Sequence, residues 1–364
     1  MRIDTDYLRD VLSRLLATPS PTGMTDAVVG VVCEELNRLR IPFELTRRGA
    51  VRANLSGDRY SPDRAIVGHI DTLGAMVKGL KDNGRLEVVP IGTWAARFAE
   101  GCRCTIHADD RNSFRATIMP LKASGHVFGD EIDSQPAAWS NLELRVDEPV
   151  ADRAGLEALG INVGDTVSID TGTEFTASGF VNSRHLDDKA GVAAMLAAAK
   201  AIRDDDLSLP VDCHLLFTIA EEVGVGASAV LHGDVAEMVS VDNGTIAPGQ
   251  NTSQFGATIT MQDSSGPFDW KLTRLLLRLC RDNAIEHARD VFRYYRSDAA
   301  AAVEAGNDIR TALVCFALDG SHGYERTHLR SLEAVARLLA LYMRAPPVSE
   351  ADRVPLGPRP VRGN

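Results

Sequence analysis

The order of apolar and polar residues changes character twice along the chain, which divides the chain into three stretches. In the first stretch, residues 5–17 and 25–40 carry apolar side chains at helical spacing, whereas residues 43–46, 51–55 and 64–70 form short apolar runs. Helical spacing places apolar side chains on one face of a helix, and short apolar runs are typical of strands. The first stretch therefore predicts two helices followed by three strands.

The second stretch, residues 75–178, consists of short segments of alternating apolar and polar residues that are separated by Gly and Asp. No long helical pattern occurs in it before about residue 152. Such segments are typical of a small unit made of short strands and tight turns. We therefore predict an inserted, barrel-like β domain at 75–178, within a larger domain formed by residues 1–74 and 179–345.

The third stretch alternates apolar strand-like runs with amphipathic or Ala-rich helical patterns. Strands are expected at 214–219, 238–241, 254–261 and 311–317, and helices at 188–202, 268–283 and 330–343. This alternation predicts an α/β fold, with a doubly wound mixed sheet flanked by helices. The last residues, 346–364, have no periodicity and are expected to form a mobile tail.

Composition and charge narrow the class of protein. A chain of 364 residues is too long for one small hydrophobic core, which suggests two domains. Its net charge of −11 argues against binding to nucleic acid or to an anionic membrane. No apolar run approaches 18 residues, and no signal-peptide segment precedes the first helix. Of six cysteines only Cys102 and Cys104 are close together, so we expect free thiols and a cytoplasmic protein.

The candidate chemical residues lie mostly where predicted strands end. His69 closes the strand at 64–70 and Asp71 follows two residues later, so His69 can bind a metal while Asp71 orients its ring. The alternative is a surface turn. Asp187 and Asp188 enter the helix predicted at 188–202, and two carboxylates exceed what a helix cap requires. A carboxylate can bridge two cations about 3.5–4 Å apart. We assign Asp187 as the bridge and Asp188 as its neighbour or the cap.

Three further segments complete the candidate set. Glu221 and Glu222 follow the buried strand at 214–219, where ligands bind in open α/β sheets. We expect Glu222 to bind metal and Glu221 to act as a general base, because a base that moves protons must not be held on the metal. Asp242 follows another strand, although an Asp in this position is often only a turn residue. Either His322 or His328 supplies the last ligand, and the set suits two zinc, cobalt or manganese ions.

Several segments, taken in their order along the chain, resemble those of the tetrahedral-aminopeptidase and glutamyl-aminopeptidase family of dinuclear metallopeptidases. The resemblance covers about residues 8–345. The segments that carry the resemblance are GHIDTLG at 68–74, IGTW at 91–94, GINVGDTV at 160–167, LDDKAG at 186–191, EEVG at 221–224, VDNG at 241–244, SGP at 265–267 and SDA at 297–299. The resemblance implies ligands at His69, Asp187 as the bridge, Glu222, Asp242 and a final His. It also implies Glu221 as the base and Asp71 as the support of His69.

The sequence departs from the family pattern around the last histidine. In the family that histidine precedes a small residue and Pro, with Glu four residues on, whereas the segment after His322 is one residue shorter. Allowing for one deletion assigns the ligand to His322, with His328 as the alternative. His185 stands beside Asp187 where a small residue is usual and could add an imidazole. The Arg-rich segment 292–296, FRYYR, is also unusual and bears on the substrate.

The resemblance implies an aminopeptidase that uses two divalent ions per chain and removes N-terminal residues from peptides. It implies a homo-oligomer, from a dimer up to a dodecamer, assembled partly through the inserted domain. The nearest subgroup is one associated with osmoprotectant peptides. Two alternatives keep the fold: a deacylase or amidase that acts on an N-acylated small peptide or osmolyte, and a non-catalytic scaffold subunit. The presence of Glu221 and of every ligand argues against the scaffold.

Overall fold

The apolar runs of the chain form strands that collect into one large sheet, one closed barrel and one small sheet. The computed structural model describes residues 2–109 and 112–348. In chain order, the strands are β1 (Phe43–Leu45), β2 (Val51–Leu55), β3 (Asp63–His69), β4 (Gly74–Leu80), β5 (Leu86–Ile91), β6 (Arg103–His107), β7 (Ser113–Pro120), β8 (Leu142–Val146), β9 (Thr166–Ile169), β10 (Glu174–Phe175), β11 (Phe180–Ser183), β12 (Cys213–Thr218), β13 (Val235–Thr245), β14 (Ala257–Asp263), β15 (Gly266–Pro267), β16 (His287–Val291), β17 (Arg310–Leu318) and β18 (Glu325–His328).

The helices flank the large sheet or lie in connections of the barrel. In chain order, they are α1 (Thr5–Ala17), α2 (Asp26–Arg38), α3 (Gly125–Phe128), α4 (Glu131–Ser134), α5 (Arg153–Ala158), α6 (Leu186–Asp204), α7 (Trp270–Asp282), α8 (Asp298–Glu304) and α9 (Leu329–Arg344). None of those in the described part of the chain is both long enough and apolar enough for a membrane crossing.

The large sheet is mixed, with strand order β1-β2-β12-β3-β13-β17-β14-β15, and β16 pairs with β14. Its centre is parallel, because β12, β3, β13 and β17 run in the same direction. Parallel strands place their carboxyl ends at one edge of a sheet, where ligands bind in open α/β folds. This arrangement confirms the predicted α/β class and brings the predicted strand ends together.

Both faces of the central strands are covered, which explains why those strands are apolar throughout. Ile66, Val239 and Val314 point into the core that contains α1, α2, α6, α7 and α9. Their neighbours Val67 and Leu313 point into a second core that contains α8. Successive strand residues face opposite sides, so a strand buried on both faces shows no polar alternation.

The barrel closes in the order β4-β5-β8-β7-β6-β9 and has an apolar core of its own. Its strands lie between Gly74 and Ile169, so they begin one residue before the stretch 75–178 whose short alternating segments predicted a small β unit. Each strand presents one face to that core, as Ile118 and Leu144 do, and this accounts for the alternation in the sequence. The closed six-stranded barrel confirms the predicted barrel-like form.

Most predicted elements are present with ends shifted by a few residues. The strand predicted at 238–241 is part of the longer β13, because β13 pairs with β17 continuously from Glu237 to Thr245. The element α6 is assigned from Leu186, but the backbone of Asp187 and Asp188 is not helical, so the regular helix starts after Asp188, close to the predicted start at 188. Of the predicted mobile tail at 346–364, residues 349–364 lie outside the described residues. Val348 packs against the main core, and its amide donates to Glu237 Oε2 at 3.2 Å.

A buried ion pair joins β3 and β13 at the end of the sheet opposite to their ligand-bearing residues. Arg64 and Glu237 are register partners, and Nη2 of Arg64 lies 2.8 Å from Oε1 of Glu237. Arg64 also donates to the carbonyls of Tyr342 and Met343 at the end of α9. Because both charges are almost fully buried, each one compensates the other.

We expect Glu237→Ala to lower the free energy of unfolding by about 3–5 kcal/mol, because it leaves the Arg64 charge buried without a partner. Denaturant titration followed by circular dichroism measures this change. The double variant Arg64→Leu/Glu237→Leu is the matched control and should lose less stability, since neither charge remains. An unchanged transition midpoint in Glu237→Ala would contradict this account of the pair.

Candidate metal centre

Five of the predicted residues meet at the carboxyl end of the central strands. His69 ends β3, Asp242 lies in β13, Glu222 follows β12, and Asp187 lies in the first turn of α6. Within the described residues, two groups of three side chains have potential ligand atoms within 4.8 Å of one another. One group is His69, Asp187 and Asp242, and the other is Asp187, Glu222 and His322. Asp187 therefore belongs to both groups.

The two oxygens of Asp187 face different histidines. Oδ1 lies 3.1 Å from Nε2 of His69, whereas Oδ2 lies 3.5 Å from Nε2 of His322. Glu222 lies on the His322 side, with its Oε2 3.9 Å from Nε2 of that ring. This is the orientation that a carboxylate needs in order to reach two cations at once.

The buried negative charge of this cluster is consistent with cation binding. Burial, followed by repulsion from Asp187, raises the pKa of Glu222 well above its ordinary value and that of Asp242 to about 8. For Asp187, burial acts in the same direction, but hydrogen bonds with His322 and His69 outweigh it and hold its pKa low. Buried carboxylates at such density are costly unless a cation compensates them. Imidazole and carboxylate donors suit zinc or manganese, so the residues present fit divalent ions.

Glu221 lies beside the cluster without belonging to either ligand group. Its Oε2 is 3.8 Å from Nε2 of His69, and its side chain is 16% exposed, compared with 5% for Glu222. Burial raises the pKa of Glu221 well above its ordinary value, and the charge of Asp242 adds to this effect. The two adjacent glutamates both line the cavity, but only Glu222 belongs to a ligand group.

Asp71 contacts His69 through its main chain rather than its side chain. The Nδ1 of His69 donates to the carbonyl of Asp71 at 3.0 Å, and the nearest carboxylate oxygen is 3.6 Å away. That carboxylate accepts hydrogen bonds from Thr22 Oγ1 at 2.6 Å and from the amides of Glu221 and Glu222 at 3.2 and 3.4 Å. Asp71 thus fixes the loop of both glutamates, in addition to holding the ring.

Asp188 is the neighbour of the bridging residue, and within the described residues its Oδ1 accepts no hydrogen bond that would cap the helix. The N-cap position of α6 is occupied by His185, whose φ of 64° is left-handed. Oδ2 of Asp188 accepts from the amide of His69 at 3.2 Å, so this buried side chain fixes the end of β3. His185 lies in neither ligand group: its Nε2 is 3.3 Å from the carbonyl of Ile169, and burial lowers its pKa to about 3. An additional imidazole ligand from His185 is therefore not part of this arrangement.

His328, the alternative to His322, has both ring nitrogens engaged elsewhere. It caps α9, where its Nδ1 accepts from the amide of Arg330 at 3.0 Å, and its Nε2 lies 2.9 Å from the carbonyl of Ser178. Its ring packs edge-on against Phe180 and Phe255. The shorter loop noted in the sequence still brings His322 to the cluster.

Glu325, which sequence reasoning did not select, connects the His322 loop to α6. Its Oε1 accepts from the amide of His322 at 2.9 Å, and its Oε2 accepts from the amides of Leu186 and Asp187 at 2.7 and 3.2 Å. Its position three residues after His322 could have identified it, because the family pattern has a Glu shortly after the last histidine. The carboxylate thereby satisfies the amides of Leu186 and Asp187 at the entry to α6, which would otherwise be buried without an acceptor.

Asn243 and Thr93 are two other supports that sequence reasoning missed. Nδ2 of Asn243 donates to Asp187 Oδ2 at 2.7 Å and to Asp242 Oδ1 at 3.2 Å. Nδ1 of His322 donates to the carbonyl of Thr93 at 2.9 Å, which leaves Nε2 facing the cluster. Thr93 follows barrel strand β5, so the barrel contributes directly to the orientation of a candidate ligand.

A cavity of about 950 Å³ opens over these side chains. Its floor includes Asp187, Glu221 and Asp242, and the segment from Arg293 to Ser297 lines another part of it. Pockets that hold drug-sized ligands have volumes of about 300–1,000 Å³. The cavity therefore has room for a short peptide next to the carboxylates.

The sequence is similar over most of its length to proteins that are named aminopeptidases. Residues 49–338 match the family described as M42 glutamyl aminopeptidase. The chain is also 38% identical over 339 residues to the Bacillus subtilis (strain 168) protein named "Putative aminopeptidase YhfE". That similarity covers 93% of this chain and 98% of the Bacillus protein.

The fold is similar to solved aminopeptidase structures. Aminopeptidase APDkam598 from the archaeon Desulfurococcus kamchatkensis has a TM-score of 0.83 and 22% identity, over 93% of this chain and 95% of that chain. The Pyrococcus horikoshii TET1 peptidase, which can assemble into a tetrahedron or a large octahedral shell, has a TM-score of 0.81 and 20% identity, over 92% and 99% of the two chains. The family match extends over most of the sequence, and this chain therefore belongs to the M42 glutamyl aminopeptidase family of peptide-bond hydrolases.

Proposed function

We propose that this chain is a metal-dependent aminopeptidase that holds two divalent cations. His69 and Asp242 would bind one ion, Glu222 and His322 the other, and Asp187 would bridge them. The observation that supports this most directly is that the two ligand groups share Asp187, with one oxygen toward each histidine. Zinc, cobalt and manganese are the candidate ions, since each accepts imidazole and carboxylate ligands.

Glu221 is the proposed general base. Ions bound here would supply Lewis-acid polarisation of the scissile carbonyl and would acidify a water molecule. The Glu221 carboxylate would accept a proton from the attacking water as the new carbon–oxygen bond forms, and would deliver it to the leaving nitrogen as the carbon–nitrogen bond breaks. Its place beside His69, but in neither ligand group, supports this role.

The carboxylate-rich cavity suits a substrate with a free N-terminus. An ammonium group is attracted to buried negative charge, and such a contact would position the first peptide bond at the cluster. The six free cysteines are consistent with a reducing compartment, and we place the reaction in the cytoplasm.

A homo-oligomer is the proposed state of the enzyme, in line with the assembly of the Pyrococcus horikoshii TET1 peptidase. We assign residues 75–178 as an inserted domain that serves assembly or acts as a lid, with the catalytic domain formed by 1–74 and 179–345. The separate core of the barrel supports that division.

Glu221→Gln is expected to reduce kcat to background while the protein retains its metal. The amide keeps the size of the side chain but cannot accept and return a proton at neutral pH. Metal analysis and peptide hydrolysis measured on the same preparation test this. Equal loss of metal and activity would assign Glu221 to the ligands instead.

Chelation is expected to abolish hydrolysis of peptides with free N-termini, and about two equivalents of Zn²⁺, Co²⁺ or Mn²⁺ per chain should restore it. The substrate panel pairs each free peptide amide with its N-acetylated form. Cleavage of the acetylated members alone would identify a deacylase. No turnover with any ion would identify a scaffold subunit.

Glu325→Gln should weaken metal binding by about ten- to one-hundred-fold, as is typical for residues that orient metal ligands. In the variant, one of the two carboxylate oxygens is replaced by an NH2 group, which cannot accept a hydrogen bond from a backbone N–H. Either the His322 loop or the start of α6 therefore loses its acceptor. Calorimetric titration of the metal-free protein with Zn²⁺ measures the effect. Glu333→Gln, which makes the same charge change on α9, is the matched control, and equal affinities in the two variants would overturn this role.

A further inference from the structure

We propose that Asp298 is a positioning residue for the Glu221 carboxylate and acts through the loop that carries it. This loop, residues 219–226, connects β12 to the segment that begins at Ala227. The inference rests on the proposed role of Glu221 as general base and goes beyond it, since it states what keeps that base in place. Asp298 belongs to the SDA segment at 297–299 and lies in neither ligand group.

The carboxylate of Asp298 joins the two ends of this loop. Its Oδ2 accepts a hydrogen bond from Oγ1 of Thr218, the last residue of β12, at 2.6 Å. Its Oδ1 accepts from the amide of Ala227 at 2.7 Å, directly after the loop. Hydrogen bonds to a charged acceptor are among the stronger ones in proteins. Both oxygens are engaged and the residue is 2% exposed, so Asp298 holds the loop rather than the substrate.

The backbone of Asp298 is itself fixed. Asp298 is the first residue of α8, and Oγ of Ser297 caps this helix by accepting from the amide of Ala299 at 3.3 Å. Ala299 and Ala302 pack into the second core, which also contains Ala227. The loop is therefore attached to the packed body of the large domain, as the precise placement of a reacting group requires.

The other contacts of the loop leave one of its ends unsupported. On the side of the metal ligands, the Asp71 carboxylate accepts the amides of both glutamates. Within the loop, the amide of Gly224 donates to the carbonyl of Glu221 at 2.6 Å. Neither contact reaches the end at Ala227, which Asp298 ties back to β12. A reacting group that is misplaced by about 1 Å can cost about one-hundred-fold in rate.

Gly226 shows how closely the carboxylate of Asp298 approaches the loop. A Cβ at this position would lie 2.2 Å from Oδ1 of Asp298 and 3.0 Å from Oγ1 of Thr218. The backbone of Gly226, with φ of −57° and ψ of −69°, is one that any residue adopts. The glycine is therefore required by the approach of Asp298 and not by its own backbone. Gly226→Ala consequently disturbs the contact without removing the carboxylate.

The test compares zinc-loaded Asp298→Ala, Asp298→Asn and Gly226→Ala with the parent on the peptide amide that the parent cleaves fastest. We expect Asp298→Ala to lower kcat about one-hundred-fold, with KM and zinc content unchanged, because the base is displaced while the ligands remain. Gly226→Ala should lower kcat in the same way. Asp298→Asn should retain most of the parent kcat, since its oxygen can accept from Ala227 and its NH2 group can donate to the Thr218 hydroxyl.

Asp63→Ala is the matched control. Asp63 is a buried aspartate at the opposite end of β3, where its Oδ2 accepts from the amide of Asp234 at 3.1 Å. Its removal should lower stability while kcat stays at the parent value. An unchanged kcat in Asp298→Ala and Gly226→Ala would overturn the inference, and Gly226→Ala alone decides if Asp298→Ala does not fold. An Asn variant as slow as the Ala variant would also overturn it, because charge rather than contact would then matter. Zinc loss in proportion to activity would do the same.

Hydrogen–deuterium exchange of residues 219–227 separates this inference from the proposed function, because it needs no turnover. We expect these amides to exchange about tenfold faster in Asp298→Ala than in the parent or in Asp298→Asn, since the hydrogen bonds that hold the loop closed are lost. Faster exchange, together with a parent protein that hydrolyses no peptide, would sustain the role of Asp298 in the loop and defeat the peptidase function. Hydrolysis by the parent, with exchange and kcat unchanged in the variant, would defeat the role of Asp298 alone.

Discussion

The arrangement of this protein depends on one buried carboxylate that faces two histidines. Asp187 cannot hold that position by itself, because a buried charge requires partners and its side chain has more than one rotamer. Glu325 fixes its main chain, and Asn243 fixes one of its oxygens. The strands β3 and β13, the start of α6 and the loop after β17 all converge on this residue. Their packing therefore serves a geometry that none of them could maintain alone.

The support of the cluster comes from buried polar residues that lie far apart in sequence. Asp71 and Asp188 fix the end of β3 and the glutamate loop through backbone amides. The Arg64–Glu237 pair joins the same two strands at their opposite ends. Charges thus occur at both ends of an otherwise apolar pair of strands. In each case a buried group is satisfied by a specific partner, as low-dielectric surroundings demand.

Much of this could be predicted from the sequence, because the signals were local. An apolar run that ends in His or Glu locates a residue at the edge of a parallel sheet, which is how His69 and Glu222 were found. Partners that meet only in the folded chain gave no such signal. The reach of Glu325 to α6 depends on the loop after β17, and the hydrogen bond from the amide of His69 to Asp188 depends on how α6 packs against the end of β3. The carbonyl contact of Asp71 depends on how the chain turns after β3.

The hydrogen bond from His322 to the carbonyl of Thr93 has a consequence for communication between the two parts of the molecule. It makes the orientation of a candidate ligand depend on a loop of the barrel. Thermodynamic linkage is reciprocal. If a binding event that displaces this loop changes the affinity for the ion, ion binding changes the equilibrium constant of that event by the same factor. If subunits associate through the barrel, association and ion occupancy would then be coupled equilibria.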